Sequence, residues 1–382
     1  MHPGMSLPRA LPVGLLAVVL GVAPASAFQP ATTALSASGN DTVTGTDLVA
    51  RGGDVVVSAD RVGSGERMVD VASSTDLGVT WTHDVVNNQA GAARESQATI
   101  CDGAAYMAYT TPDALPATDW YLRTYSRDLH VALMGFRTWT MSGVARKPDI
   151  ACVANTNVVV AWFQSSGGGY HVKVRQQQLD AEFGYSQGFD LGSGTVSRGL
   201  AIATTSSRVY VAYFHGDELR VRRFSIAHGG HHALTAVGTT TVATLAHGSD
   251  PRIDGDGSRV ILAYMDKASL QVRRSTDTGA SFGRARTLRS EAFPGGTTTR
   301  PMTVAVTGSR IAIGALEVGN GSGTGLGYLS TNGGSSFAKV SQHPTGRVLA
   351  GLLKVGSSYV YAEAWDQSIS QPVSPVVGFR RQ

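Results

Sequence analysis

Short apolar runs return along the chain at a near-constant interval. They place Val55, Ala105, Val158, Val209, Val260, Ile311 and Tyr359 in the same position, 48 to 53 residues apart. Three residues beyond each stands a small residue: Ser58, Ala108, Ala161, Ala212, Ala263, Gly314 and Ala362. An aromatic follows four of these, at Tyr109, Trp162, Tyr213 and Tyr264. The runs are short and separated by turn residues, which predicts strands and not helices. A unit of about fifty residues with about four strands cannot bury its own apolar faces, so copies must stack, and a closed ring is the economical arrangement. The small residue has a packing reason, because sheets crowd together near a ring axis and a bulky side chain there would force them apart.

Seven anchors predict seven units. Three strands are expected in the last, at Val348–Lys354, Tyr359–Ala364 and Val373–Phe379, and the chain stops before a fourth. The stretch from Thr32 to Ala37 is expected to supply it, closing the ring and covering an open edge.

A second pattern names the hairpins. Ser74-Thr75-Asp76-Leu77-Gly78-Val79-Thr80-Trp81 returns as Ser275-Thr276-Asp277-Thr278-Gly279-Ala280-Ser281-Phe282, and again as Ser330-Thr331-Asn332-Gly333-Gly334-Ser335-Ser336-Phe337. A short carboxylate or amide folds back onto backbone N–H groups and Gly takes a left-handed conformation. The aromatic then drops beside the neighbouring sheet. The pattern resembles the Asp-box (BNR repeat) of sialidase-like β-propellers. The resemblance implies an all-β chain folded as a single propeller of four-stranded blades. The repeat count favours seven blades, with six, as in catalytic sialidases, the alternative.

Composition narrows the setting. Forty-six glycines and only 16% charged residues suit an all-β chain rich in turns. A mildly basic start, the apolar run Ala10 to Ala23 and Ala25-Ser26-Ala27 predict a signal peptide over residues 1–27, leaving 28–382 as one propeller. The expected location is therefore outside the cell or in its envelope. No later stretch is apolar enough to span a bilayer. A net charge of +4, evenly spread, argues against nucleic acid and permits an anionic ligand. A monomer is expected. Cys101 and Cys152 occupy equivalent places in neighbouring units. Export allows a disulfide between them, and two buried thiols are the other reading.

Candidate chemistry is sparser. Eleven or twelve residues before five anchors stand Arg94, Arg146, Arg198, Arg300 and Arg347. Equivalent positions share a height in a ring, so these guanidiniums form a candidate anion-binding cup at one channel mouth, or else ion-paired arginines at loop ends. The sialidase resemblance implies three substrate-binding arginines, a Tyr nucleophile assisted by a Glu, and an Asp acid/base. The nearest match to its first arginine motif, Thr299-Arg300-Pro301-Met302, lacks the aromatic and the Ile. Asp60, Asp266, Glu317, Glu363, Tyr264, Tyr359 and Tyr361 are available, read as polar loop residues or rim aromatics, and the catalytic residues stay unknown. Five histidines between His215 and His247 read as exposed imidazoles of a worn hairpin. Asp254-Gly255-Asp256-Gly257 reads as a hairpin turn. No metal and no cofactor are expected.

Three functions follow from this reading. The first is a non-catalytic module that binds a glycan or protein at the channel mouth. The alternatives are a glycoside hydrolase of the exo-sialidase type and a structural or assembly factor of the cell envelope.

Overall fold

The computed structural model describes residues 32–36, 42–63, 66–86, 94–112, 120–129, 134–135, 145–166, 169–179, 186–193, 195–229, 231–289, 298–319, 322–343, 347–366 and 376–381. The predicted leader, 1–27, lies outside them. Among the described residues every element is a strand. β1 (Thr32–Ser36) precedes a first sheet of β2 (Thr42–Arg51), β3 (Asp54–Gly63), β4 (Glu66–Ser74) and β5 (Thr82–Val86). A second holds β6 (Arg94–Cys101), β7 (Ala104–Pro112), β8 (Trp120–Asp128) and β9 (Met134–Gly135). Next come β10 (Ala145–Val153), β11 (Asn157–Ser166), β12 (Gly169–Gln178) and β13 (Ser186–Asp190), then β14 (Thr195–Thr204), β15 (Arg208–His215), β16 (Glu218–Ile226) and β17 (Leu234–Thr244). Two further sheets are β18 (Ser249–Asp256) with β19 (Arg259–Asp266), β20 (Ser269–Ser275) and β21 (Arg286–Arg289), and β22 (Thr298–Thr307) with β23 (Arg310–Gly319), β24 (Ser322–Ser330) and β25 (Ala338–His343). The last has β26 (Val348–Val355), β27 (Ser358–Asp366) and β28 (Val376–Arg381).

Five sheets have four strands each, and all strand pairing is antiparallel. The expectation of seven four-stranded blades, or six, needs correction, because only five of the sheets among the described residues are four-stranded. β10–β13 and β14–β17 form one eight-stranded sheet, because Tyr170 of β12 pairs with Thr195 of β14. β1 pairs with β28 and completes the last sheet, so the two ends of the chain share it. β2, β6, β10, β14, β18, β22 and β26 pack in sequence, and β26 packs back on β2. That circle of inner strands makes the molecule a β-propeller.

The apolar anchors fall on the second strand of each unit, where the apolar faces of adjacent sheets meet. The small residues beyond them are buried, and Gly314 shows why. A Cβ there would overlap the Val348 carbonyl oxygen and lie 2.7 Å from the Ala350 nitrogen of the next inner strand. Cys101 and Cys152 are bonded, with Cα atoms 5.3 Å apart, tying β6 to β10.

The three Ser-x-Asp/Asn-x-Gly segments are tight hairpin turns. Asp76 accepts hydrogen bonds from the Val79 and Thr80 backbone at 3.0 and 2.9 Å and from Thr80 Oγ1 at 2.6 Å. Ser74 Oγ donates to Asp76 and accepts from Gly78 N, each within 2.8 Å. Asp277 repeats this with Ser281 and Ser275, and Asn332 with Ser336 and Ser330. Gly78, Gly279 and Gly334 all have positive φ. Trp81 meets Phe379 edge-on at 5.1 Å, so the first hairpin docks on the sheet that closes the ring.

Candidate binding site in the central channel

Apart from the single β12–β14 pair, each inner strand pairs on one side only. Its other edge faces the axis and presents backbone groups that need partners. Side chains from the adjacent unit supply them. Asp47 accepts from Ala98 N at 2.8 Å, Asp149 from Ile202 N at 2.8 Å and Asp254 from Val306 N at 2.6 Å. In the opposite sense Arg51 donates to Ile100 O and Arg252 to Met302 O, at 2.9 and 2.7 Å. Thr303 Oγ1 accepts from Ala350 N at 2.7 Å. These bonds clamp neighbouring units around the channel.

The clamps also define a site. Asp47, Gln97, Asp149 and Arg252 stand opposite Ser58, Ala108, Ala161 and Ala263 in their strand pairs, and so share one height. They line an axial cavity of about 240 Å³. Burial pushes Asp149 up to about 7; the Ile202 N–H works against that shift, the Asp47 carboxylate adds to it and Arg252 opposes it. Burial likewise raises Asp47, against the Ala98 N–H and Arg252. It pushes Asp254 up to about 7. Asp254 and Asp256 lie within β18, so the predicted turn moves to Gly257 and Ser258; both carboxylates reach N–H groups of β22 or its following turn.

At one end the channel widens into a mouth of about 280 Å³, which shares Gln97, Arg252 and Met302 with the axial cavity. Glu95, Lys147, Asp250 and Arg347 line it. Glu95, Lys147 and Asp250 have positive φ (56°, 46° and 52°) at register shifts in β6, β10 and β18. Non-glycine residues in this conformation are strained, and a bulge re-aims side chains beside a site. Glu95 accepts from Lys147 N at 2.9 Å, linking two of these bulges. Asp60 is buried beneath, accepting from Ser96 Oγ at 2.6 Å and Glu95 N at 2.7 Å, and burial raises its pKa.

Of the five predicted arginines, Arg347 lines the mouth. Arg198 is held by Asp217 at 3.0 Å and by Leu245 O, Arg300 lies 4.0 Å from Asp250, and Arg146 is exposed. The Arg94 backbone opens β6, and its side chain lies outside what is described. In β6 and β10 the residue after the arginine enters the mouth, because the bulge falls at that step.

The acids and phenols also differ from expectation. Glu363 and Tyr361 are buried, not on loops or the rim. Tyr361 donates to Glu363 at 2.9 Å, and Glu363 also contacts His343 at 2.8 Å, which stacks on Trp365. Tyr361 Oη lies against Gly327 of the neighbouring sheet, so the phenol is sealed between sheets. Tyr264 is buried, and Arg273 donates to it at 3.0 Å. Among the histidines, His228, His231 and His247 are exposed, and the His231 and His232 carbonyls dock on Asn157 and Gln176.

No protein-family model matches the chain, and no curated protein matches it in sequence. Among solved structures, the phage phi92 endosialidase aligns over 92% of this chain and 68% of its own, at 13% identity and a TM-score of 0.52. A mutant Trypanosoma rangeli sialidase displaying trans-sialidase activity aligns over 93% of this chain and 59% of its own, at 11% identity and 0.47. The NanB sialidase from Streptococcus pneumoniae aligns over 93% and 70%, at 9% identity and 0.47. The circle of sheets, five four-stranded and one eight-stranded, with the chain ends joined through β1 and β28, is a β-propeller, a fold it shares with the phage endosialidase.

Proposed function

We propose that this chain is an exported Asp-box β-propeller that binds a glycan or a protein group at its channel mouth without turning it over. Taking β10–β13 and β14–β17 as separate blades gives seven, in keeping with the seven anchors. The observation that carries the reading is the mouth itself. Three bulged, strained residues of both charges, Glu95, Lys147 and Asp250, surround a cavity with Arg252 at its base. A volume of about 280 Å³ suits one sugar ring or one protein side chain. The channel carboxylates below it are engaged with backbone N–H groups, and the Tyr361–Glu363 contact is sealed away from solvent. Both facts favour binding over hydrolysis.

A glycan array followed by calorimetry tests this. A ligand should appear, and Lys147→Ala with Arg347→Ala should weaken it about tenfold or more. Unchanged affinity would remove the mouth as the site. Export is tested by N-terminal sequencing of protein from the medium, which should begin at Phe28. The monomer expectation is tested by light scattering.

One observation favours the hydrolase alternative. Asp47 and Asp149 form a carboxylate pair with one pKa pushed up to about 7, an arrangement glycosidases use. Turnover of any 4-methylumbelliferyl glycoside, abolished by Asp149→Asn, would establish it. An envelope assembly role remains if neither ligand nor turnover is found.

A further inference from the structure

A wider cavity, about 390 Å³, opens on the rim between the β20–β21 hairpin and the hairpin before β25. Its wall carries Arg274, Arg284 and Arg286 with the hydroxyl residues Thr276, Ser281 and Ser335, and among the described residues no carboxylate. Arg274 is pinned across the gap, donating to Gly333 O at 3.0 Å and Ser335 Oγ at 3.2 Å. Arg286 pairs in register with the buried Val272, which floors the cavity. Neither the Arg284 nor the Arg286 side chain has a hydrogen bond or ion pair among the described residues, and both residues are exposed. The nearby Asp277 is occupied by Ser275 and by the backbone and hydroxyl of Ser281.

The hairpin does not require this charge. Counted from the first Ser of each hairpin, Arg284 and Arg286 correspond to His83 and Val85 in the first copy and to Lys339 and Ser341 in the third. The basic set is peculiar to one unit, where two free guanidiniums face a third that is fixed. A planar donor fork matches the oxygens of a sulfate or carboxylate, and the hydroxyls beside it suit a sugar. Among the described residues the wall has no aromatic side chain on which a nucleic-acid base would stack.

We propose that this rim cavity is a second binding site, independent of the channel mouth, for the sulfate or carboxylate groups of an acidic polysaccharide. The test is calorimetry of the full chain with a sulfated heparin oligosaccharide, an oligogalacturonate, inorganic sulfate and a single-stranded oligonucleotide, at low and high salt. At least one acidic oligosaccharide should bind, more weakly as salt rises. Arg284→Ala with Arg286→Ala should weaken it about tenfold or more, while Arg284→Lys with Arg286→Lys keeps part of the affinity and reports a folded protein. Lys147→Ala with Arg347→Ala should leave it unchanged, which separates this site from the mouth. Oligosaccharide affinity unmoved by the rim alanines would overturn the proposal. So would inorganic sulfate or the oligonucleotide binding as tightly as the oligosaccharide.

Discussion

Aspartates do the same job at the rim and at the axis, with opposite consequences. At the rim, Asp277 accepts from Ser281 and Ser275 in the open, and these hydrogen bonds bring it down to about 2. Asp76 also falls to about 2, because bonds from Thr80, Ser74 and Val79 outweigh its slight burial. At the axis, Asp149 and Asp254 each accept a backbone N–H from the next unit, yet burial carries both to about 7. Accepting an N–H favours the charged form in either place; whether water also reaches the carboxylate decides the outcome. Stability therefore depends on pH in two separate windows. Where the native pKa is depressed, the contribution is present above the unfolded value near 4 and lost as pH falls through about 2. Where it is raised, the contribution is full below that value and lost as pH rises through about 7.

The largest expected contrast is in packing. Gly314→Ala at the axis should cost about 3 kcal/mol or more, since its Cβ meets backbone of the next inner strand, which cannot yield. Gly257→Ala, in an open turn with φ +59° and nothing within 4 Å, should cost only about 1 kcal/mol from conformation alone. Urea unfolding compares the two, and equal losses would deny that the axis is the crowded end. Next in size is Asp76→Ala, which removes the acceptor for two backbone N–H groups and two hydroxyls. A loss of about 1–2 kcal/mol is expected, as for a lost helix cap. Asp76→Asn should lose less than half of that above pH 5, because Asn332 already holds the same turn as a neutral amide. A smaller effect is the acid limb. Asp277→Asn should narrow its deficit against the parent as pH falls from 4 to 2 in thermal melts, and a widening deficit would reverse the sign.

Much of the fold could be read from the chain before its structure. The anchors Val55 to Tyr359 announce second strands because those strands are buried on both faces. The hairpins are legible because their turn chemistry is local, and the closing role of Thr32–Ser36 follows from the strand missing at the other end. The merger of β12 with β14 was not legible, since one residue pair leaves no pattern. The site was read one step out of place. Arg94 and Arg146 repeat visibly, but the chain bulges at the next residue, and nothing in Glu95 or Lys147 announces a left-handed backbone. Asp47, Gln97, Asp149 and Arg252 did carry a signal: each precedes its anchor by eight or nine residues. Their chemical variety hid a shared position that Arg, repeated five times, advertised elsewhere. Glu363 looked like a loop acid because its partner His343 stands on the preceding sheet, a contact that the pattern of its own strand does not announce.

The most direct measurement is the thermal melt of Asp149→Asn combined with Asp254→Asn, against the parent chain at pH 5 and pH 8. If the channel carboxylates are buried clamps, the variant gains on the parent as pH rises, by about 5 kcal/mol, roughly 2–3 kcal/mol from each carboxyl. A difference that stays constant, or moves in the parent's favour at pH 8, would contradict the account.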